Sequence, residues 1–153
     1  MNPTRILLTL LGFAFLCFIS DCRKKPKPPQ QTPLQIQAEK LAGTWDNATI
    51  IDVPLYVDTM IVKDLAMTFN IDNNHQPTAF SSSGAPDFFQ TISTSTWSFS
   101  GNDSTVIIFH QVAPVKSIQI SILNSKKLYV KFEKTSSLRP EDTNGKYEVY
   151  LSR

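Results

Sequence analysis

From Thr44 onward the chain alternates apolar and polar residues in short runs, each closed by a cluster of Asn, Asp, Ser or Gly. Leu65, Met67, Phe69 and Ile71 alternate with Ala66, Thr68 and Asn70; Trp97 and Phe99 alternate with Thr96, Ser98 and Ser100; Val106 and Ile108 follow the turn at Gly101 to Asp103. Ile118, Ile120 and Ile122 then alternate with polar residues, as do Leu128, Val130 and Phe132, and finally Tyr147, Val149 and Leu151. A period of two places one face of each run in a core and the other in solvent, the pattern of half-buried strands. Short connections between such strands make neighbours antiparallel, in an up-and-down meander. A first strand is expected from Thr44 to Val53, with Leu55 to Val62 placed to pair with it. Residues 78–92 predict a short strand, a loop and a further strand start. Ser81 to Pro86 is loop chemistry there, while Phe80, Phe88, Phe89 and Ile92 are too apolar to stay in water. Ahead of the strands, Leu34, Ala38 and Leu41 recur at helical spacing behind Thr32-Pro33, which predicts a short capped helix.

The pattern changes before residue 34. Ile6 to Ser20 is a 15-residue run without charge behind Arg5. It is shorter than the roughly 20 residues a helix needs to cross a bilayer, and suits the apolar centre of a signal peptide. Cys22 follows after Asp21. Residues 23–33 hold four prolines and four positive charges, Arg23, Lys24, Lys25 and Lys27, with no apolar anchor. Such a segment is an extended, semi-rigid spacer of about 3 Å per residue. The chain thus divides into a leader, 1–21, a cysteine with its tether, 22–33, and one domain, 34–153.

Composition limits what that domain can be. Forty-one per cent apolar residues, with ten Phe, four Tyr and two Trp, exclude a disordered chain. Residues 34–153 carry ten basic and twelve acidic side chains, so the formal +2 of the whole chain comes from the tether. No basic face for nucleic acid follows. Both cysteines, Cys17 and Cys22, precede the domain, which therefore contains neither a disulfide nor a thiolate metal site.

Gly43-x-Trp45 at the start of the first strand, followed by about eight meandering strands, resembles the opening of lipocalin-like barrels, in which the tryptophan closes the bottom of the barrel. The resemblance implies a closed antiparallel barrel with a short N-terminal helix; the alternative on strand pattern is a two-sheet sandwich. Lipocalins often add a Thr-Asp-Tyr element, absent here, and a basic residue stacked on the tryptophan, for which Arg153 is the candidate. Ile19-Ser20-Asp21-Cys22 resembles a bacterial lipoprotein cleavage box, with Asp21 where a small uncharged residue is usual. This implies an acyl (palmitate-type) anchor on Cys22 and resembles envelope lipoproteins of Bacteroidota. A basic rather than acidic stretch after the cysteine points to the periplasmic side. Asp58-Thr59-Met60 and Asp103-Ser104-Thr105 are similar to O-glycosylation sites of exported proteins in that group; simple turn chemistry accounts for the second equally well.

Catalytic parts are scarce. His75 and His110 stand alone, without carboxylate or cysteine at a ligand spacing, so neither a metal nor another cofactor is expected. No nucleophile motif or phosphate-binding glycine loop occurs. Asp46 with Asp52 and Glu141 with Asp142 are acidic pairs by count alone. Two readings remain, a carrier of a small apolar ligand and a non-catalytic interaction or structural module of the envelope. For the carrier, the interior set Phe69, Trp97, Phe99, Ile108, Ile120, Val130, Phe132 and Tyr147 would line the ligand. An open interior favours the first reading and a filled one the second.

Overall fold

The computed structural model describes residues 30–54, 62–135 and 144–153. The leader, Cys22, Thr59, the Glu141-Asp142 pair and most of both the tether and the expected Leu55 to Val62 strand lie outside these residues.

Helix α1 spans Pro33–Leu41 and begins on a capping box. Thr32 Oγ1 accepts from the Gln35 amide at 3.2 Å, and Gln35 Oε1 accepts from the Thr32 amide at 2.7 Å. These bonds satisfy two amides that a helix start leaves unpaired. Ala38 and Leu41 are buried, and the chain then turns at Gly43, where φ is +113°.

Ten strands follow among the described residues: β1 Gly43–Asp52, β2 Ala66–Ile71, β3 Pro77–Ser83, β4 Phe89–Gln90, β5 Thr96–Ser100, β6 Asp103–His110, β7 Ala113–Pro114, β8 Ser117–Leu123, β9 Lys127–Lys134 and β10 Gly145–Ser152. Eight of them close an antiparallel barrel in the order β1-β10-β9-β8-β6-β5-β3-β2, while β4 and β7 pair separately. The closed order excludes the sandwich. β1 makes the closure: Gly43 to Trp45 pair with Met67 to Phe69 of β2, and Asp46 to Asp52 pair with β10 across a bulge between Asp46 and Thr49. Helix α1 and the turns after β2, β5 and β8 lie at one end, the lower end; the connections after β3 and β6 lie at the other.

Most of the expected inward positions are buried, including Leu65, Met67, Phe69, Trp97, Phe99, Ile118, Ile120, Leu128, Val130, Phe132, Tyr147, Val149 and Leu151, with Ile71 packed at the edge. Four positions are corrected, the first being Ile92, expected to leave water but 60% exposed. Val106 and Ile108 face outward, and Ile107 and Phe109 fill the core instead. Val106 to Phe109 are four consecutive apolar residues, so alternation fits either parity; pairing of Ile107 with Phe99 and Ile118 selects the observed one. Ile122 is 43% exposed. Ile120 pairs with Val130 but Ile122 with Tyr129, so the β8 strand spends an extra residue there and its inward face reverses.

Two glycines with similar backbone angles isolate a packing constraint. At Gly84 (φ +79°) an added Cβ would lie 1.7 Å from the Asp64 carbonyl oxygen, whereas at Gly101 (φ +58°) it would meet nothing within 4 Å. Gly101→Ala should therefore lose about 1 kcal/mol from the left-handed conformation alone. Gly84→Ala should lose roughly 3 kcal/mol or more, because the backbones must also separate. Urea unfolding of both variants checks the ordering, and equal losses would contradict it.

Candidate functional site

The lower end of the barrel is closed by a small hydrogen-bonded assembly. Trp45 is fully buried and its indole Nε1 donates to the Leu41 carbonyl at 2.7 Å. The Arg153 guanidinium lies over the indole, with Cζ 4.2 Å from the ring centroid. The same group donates through Nη1 to the Ala42 carbonyl (2.6 Å), through Nη2 to the Lys40 carbonyl (3.1 Å) and through Nε to the Ser125 carbonyl (3.1 Å). Carbonyls at a helix C-terminus lack intrahelical partners and attract a cation, so one planar side chain serves α1, the β8–β9 turn and the tryptophan together. The Arg153 stacking expected from the sequence is thereby observed.

Above this floor, aromatic rings occupy the barrel axis. Phe69 meets Phe80 at 5.2 Å and Trp97 at 5.3 Å between centroids, Phe80 meets Phe109 at 4.2 Å, and Trp97 meets Phe99 at 5.4 Å. Trp97 Nε1 donates to the Asn70 carbonyl at 2.9 Å, which satisfies its polar atom. Phe132 and Tyr147 stack at 5.3 Å and 12°. Seven of the eight residues expected to line the interior therefore stand together in the core, and only Ile108 lies on the outer face.

The upper end holds what the strand pattern did not indicate. In the β3–β5 connection a tight turn, with the Phe88 and Phe89 amides both donating to the Ala85 carbonyl, directs two neighbouring phenyl rings inward. Phe88 meets Tyr147 at 4.8 Å and Phe132 at 6.0 Å. Phe89 meets Phe132 at 5.1 Å, Phe109 at 5.8 Å and Phe80 at 6.5 Å. Since β3 and β9 stand opposite one another in the barrel order, the Phe89 ring bridges the lumen from Phe80 to Phe132.

Lys134, one step above Phe132 on the inward face of β9, is 6% exposed, and its Nζ lies 4.8 Å from the Phe88 centroid. Burial holds its ammonium below the ordinary lysine range, and the Asp87 carboxylate opposes that shift. Burial also pushes the Tyr147 hydroxyl up to about 12. The apolar inward face of β9 thus ends in the Lys134 ammonium at the rim. The alternation of Leu128, Val130 and Phe132 extends to Lys134 and carried that signal, but a lysine at a strand end reads first as solvated.

A groove of about 430 Å³ runs over β6, β8, β9 and β10 along Val106, Gln119, Lys131 and Glu148. Beside it the outward-facing Tyr129 and Tyr150 stack at 4.6 Å, and Lys131 pairs with Glu148 at 2.5 Å. Asp46 and Asp52 are exposed on β1, and His110 Nε2 lies 3.0 Å from Ser98 Oγ on the outer face. Among the described residues, no group of three or more His, Cys, Asp or Glu side chains is gathered as a metal site would require.

An eight-stranded antiparallel barrel floored by a tryptophan under an arginine is consistent with a lipocalin-like fold. No protein-family model, curated protein or solved structure matches the chain.

Two outcomes follow. Arg153→Lys should lower stability by about 1–2 kcal/mol, because a point-charge ammonium cannot span three carbonyls and cover the indole. A urea midpoint equal to that of the wild type would remove Arg153 from this role. For Tyr147 the folded pKa lies above the unfolded one, so its contribution is complete below pH 10 and is lost as pH rises towards 12. Tyr147→Phe should abolish up to about 2 kcal/mol of the stability decline across that interval. Urea unfolding as a function of pH checks this, and an unchanged alkaline decline would contradict it.

Proposed function

We propose that the chain is a membrane-anchored lipoprotein of the cell envelope whose barrel works as a non-catalytic interaction module in its resting form. The observation that carries the second half is the Phe89 ring bridging Phe80 and Phe132 across the lumen. A partner then meets the barrel at its outer face or rims, as the groove over β6, β8, β9 and β10 allows.

The anchor rests on the sequence. Cys22 follows the apolar run after Asp21, and the polar, proline-rich residues 23–31 separate it from the helix cap at Thr32. Fully extended, that tether reaches roughly 30 Å. Its four positive charges favour anionic headgroups by about 1 kcal/mol each near a strongly anionic surface. On this reading the domain faces the periplasm, at the outer membrane.

Intact mass of the mature protein should match loss of residues 1–21 plus acyl chains, and Cys22→Ser should leave the domain soluble. A wild type that stays soluble, with a free thiol at Cys22, would refute the anchor. Native mass spectrometry without detergent should find the resting barrel empty of small molecules; stoichiometric lipid in the untreated protein would replace the interaction module by a constitutive carrier.

A further inference from the structure

Two strand irregularities on the outer face of the barrel border the same pair of tyrosines. On β8 the extra residue between Ile120 and Ile122 turns Ile122 outward, where it pairs with Tyr129 and stays 43% exposed. On β1 the bulge between Asp46 and Thr49 holds Asn47 at φ +50°, a left-handed conformation that asparagine tolerates better than most residues. Ile122, Tyr129, Tyr150 and Thr49 are successive register partners, so they form one outward row across β8, β9, β10 and β1. The β8 bulge thus leaves an isoleucine in water beside two tyrosines, at a cost in apolar burial.

The tyrosines make a fixed ridge. Their rings stack at 4.6 Å and 22°, the Tyr129 hydroxyl donates to Glu148 Oε2, and Lys131 Nζ pairs with Glu148 and lies 5.5 Å from the Tyr129 centroid. A groove flanks the ridge on either side. The upper one, about 430 Å³, is bordered by Gln119, Lys131, Glu133, Lys146 and Glu148. The lower one, about 260 Å³, is bordered by Asn47, Thr49, Lys127, Tyr150 and Ser152. Since Tyr129 covers one face of the Tyr150 ring, the opposite face is the one turned towards Thr49 and the lower groove.

The chemistry of this face selects among ligands. Lys127, Lys131 and Lys146 stand among Asp46, Asp52, Glu133 and Glu148, a near balance that draws in neither a polyanion nor a polycation. Protein interfaces keep charged residues out of their centres, and covering these would strip water from partly paired charges. Hydroxyl groups replace that water, because each donates to a carboxylate and accepts from an ammonium or amide. A pyranose ring carries such hydroxyls around its edge and an apolar face of C–H bonds, which the negative face of an aromatic ring attracts.

We propose that the ridge and its two grooves bind a neutral, β-1,4-linked glycan chain. One sugar stacks on the Tyr150 face with its hydroxyls towards Asn47, Thr49 and Ser152. The chain continues over the ridge beside Ile122, and the following sugars lie in the upper groove against Gln119, Lys131 and Glu148. A β-1,4 linkage keeps successive rings extended, as a ligand reaching from one groove to the other requires. This inference rests on the barrel being an interaction module and names the chemistry of its partner.

The test titrates the full chain with Cys22→Ser, which removes the acyl acceptor, with cellohexaose, chitohexaose and maltohexaose, read by amide NMR shifts. At least one of the two β-1,4-linked probes should bind with a dissociation constant of about 1 mM or lower, moving amides of β1, β9 and β10. Maltohexaose, whose α-linked chain coils, should bind about tenfold more weakly. Tyr150→Ala should weaken binding about tenfold or more, while Tyr150→Phe keeps the ring and the affinity. Asn47→Gly preserves the left-handed backbone and should weaken binding about threefold, a readout that stands even where Tyr150→Ala fails to fold. Silence from both β-linked probes would overturn the proposal and leave this face to a protein partner. Equal affinity for maltohexaose, or binding that Tyr150→Ala and Asn47→Gly leave intact, would overturn it as well. Each of these results leaves the interaction-module reading standing, because that reading fails only through lipid held by the untreated protein.

Discussion

The Arg153–Trp45 contact joins the last strand of the barrel to the first. β1 is the seam strand, pairing with β2 over its first residues and with β10 from Asp46 onward across a bulge, so the last strand must return to the first with the correct offset. The guanidinium of the final residue measures that offset: it binds two carbonyls at the end of α1 and one in the β8–β9 turn, and it covers the indole. Gly43 is part of the same arrangement, since its φ of +113° suits glycine and a Cβ there would lie 3.2 Å from Arg153 Nη1. Sliding β10 by one residue would carry the guanidinium off all three carbonyls and turn Tyr147, Val149 and Leu151 outward.

With the floor set, the lumen is a problem of volume. Strand side chains near the floor are large enough to meet on the axis, as Phe69, Trp97 and Phe99 do. Higher up, the wall needs help, and a connection that could have stayed outside supplies two phenyl rings. Successive residues of an extended strand point to opposite faces, so no strand could place Phe88 and Phe89 in the same lumen. The turn on the Ala85 carbonyl makes it geometrically feasible, and the close approach of Gly84 to Asp64 sets where that turn begins.

Charge is handled differently inside and outside. On the outer face Lys131 and Glu148 sit opposite one another on β9 and β10, and the Tyr129 hydroxyl joins the same carboxylate. Such partly solvated pairs contribute up to about 1 kcal/mol and serve mainly to keep the face polar and in register. Inside, the Lys134 ammonium is held near the Phe88 ring at a cost in hydration that Asp87 partly offsets. A buried charge at the mouth is expensive to maintain, unlike the partly solvated outer ion pair.

The helix cap, the meander and most inward positions of β2, β5, β9 and β10 were legible in the sequence, because capping residues and strict alternation are local properties. Trp45 as floor and Arg153 as its partner were legible only through resemblance to a known opening, since 108 positions of chain separate them. Ile108 was misplaced for a physical reason: an unbroken apolar run carries no parity, and only pairing with β5 and β8 selects Ile107 and Phe109. Ile122 was misplaced because a bulge is a relation between two strands, invisible in either alone. The apolar character of Phe88 and Phe89 was evident, but their destination was not, for a loop's direction depends on what it packs against. Local alternation and capping determined the type of element; barrel closure, register and the volume left on the axis were decided by tertiary structure, because each is set by residues that meet only after the chain has folded.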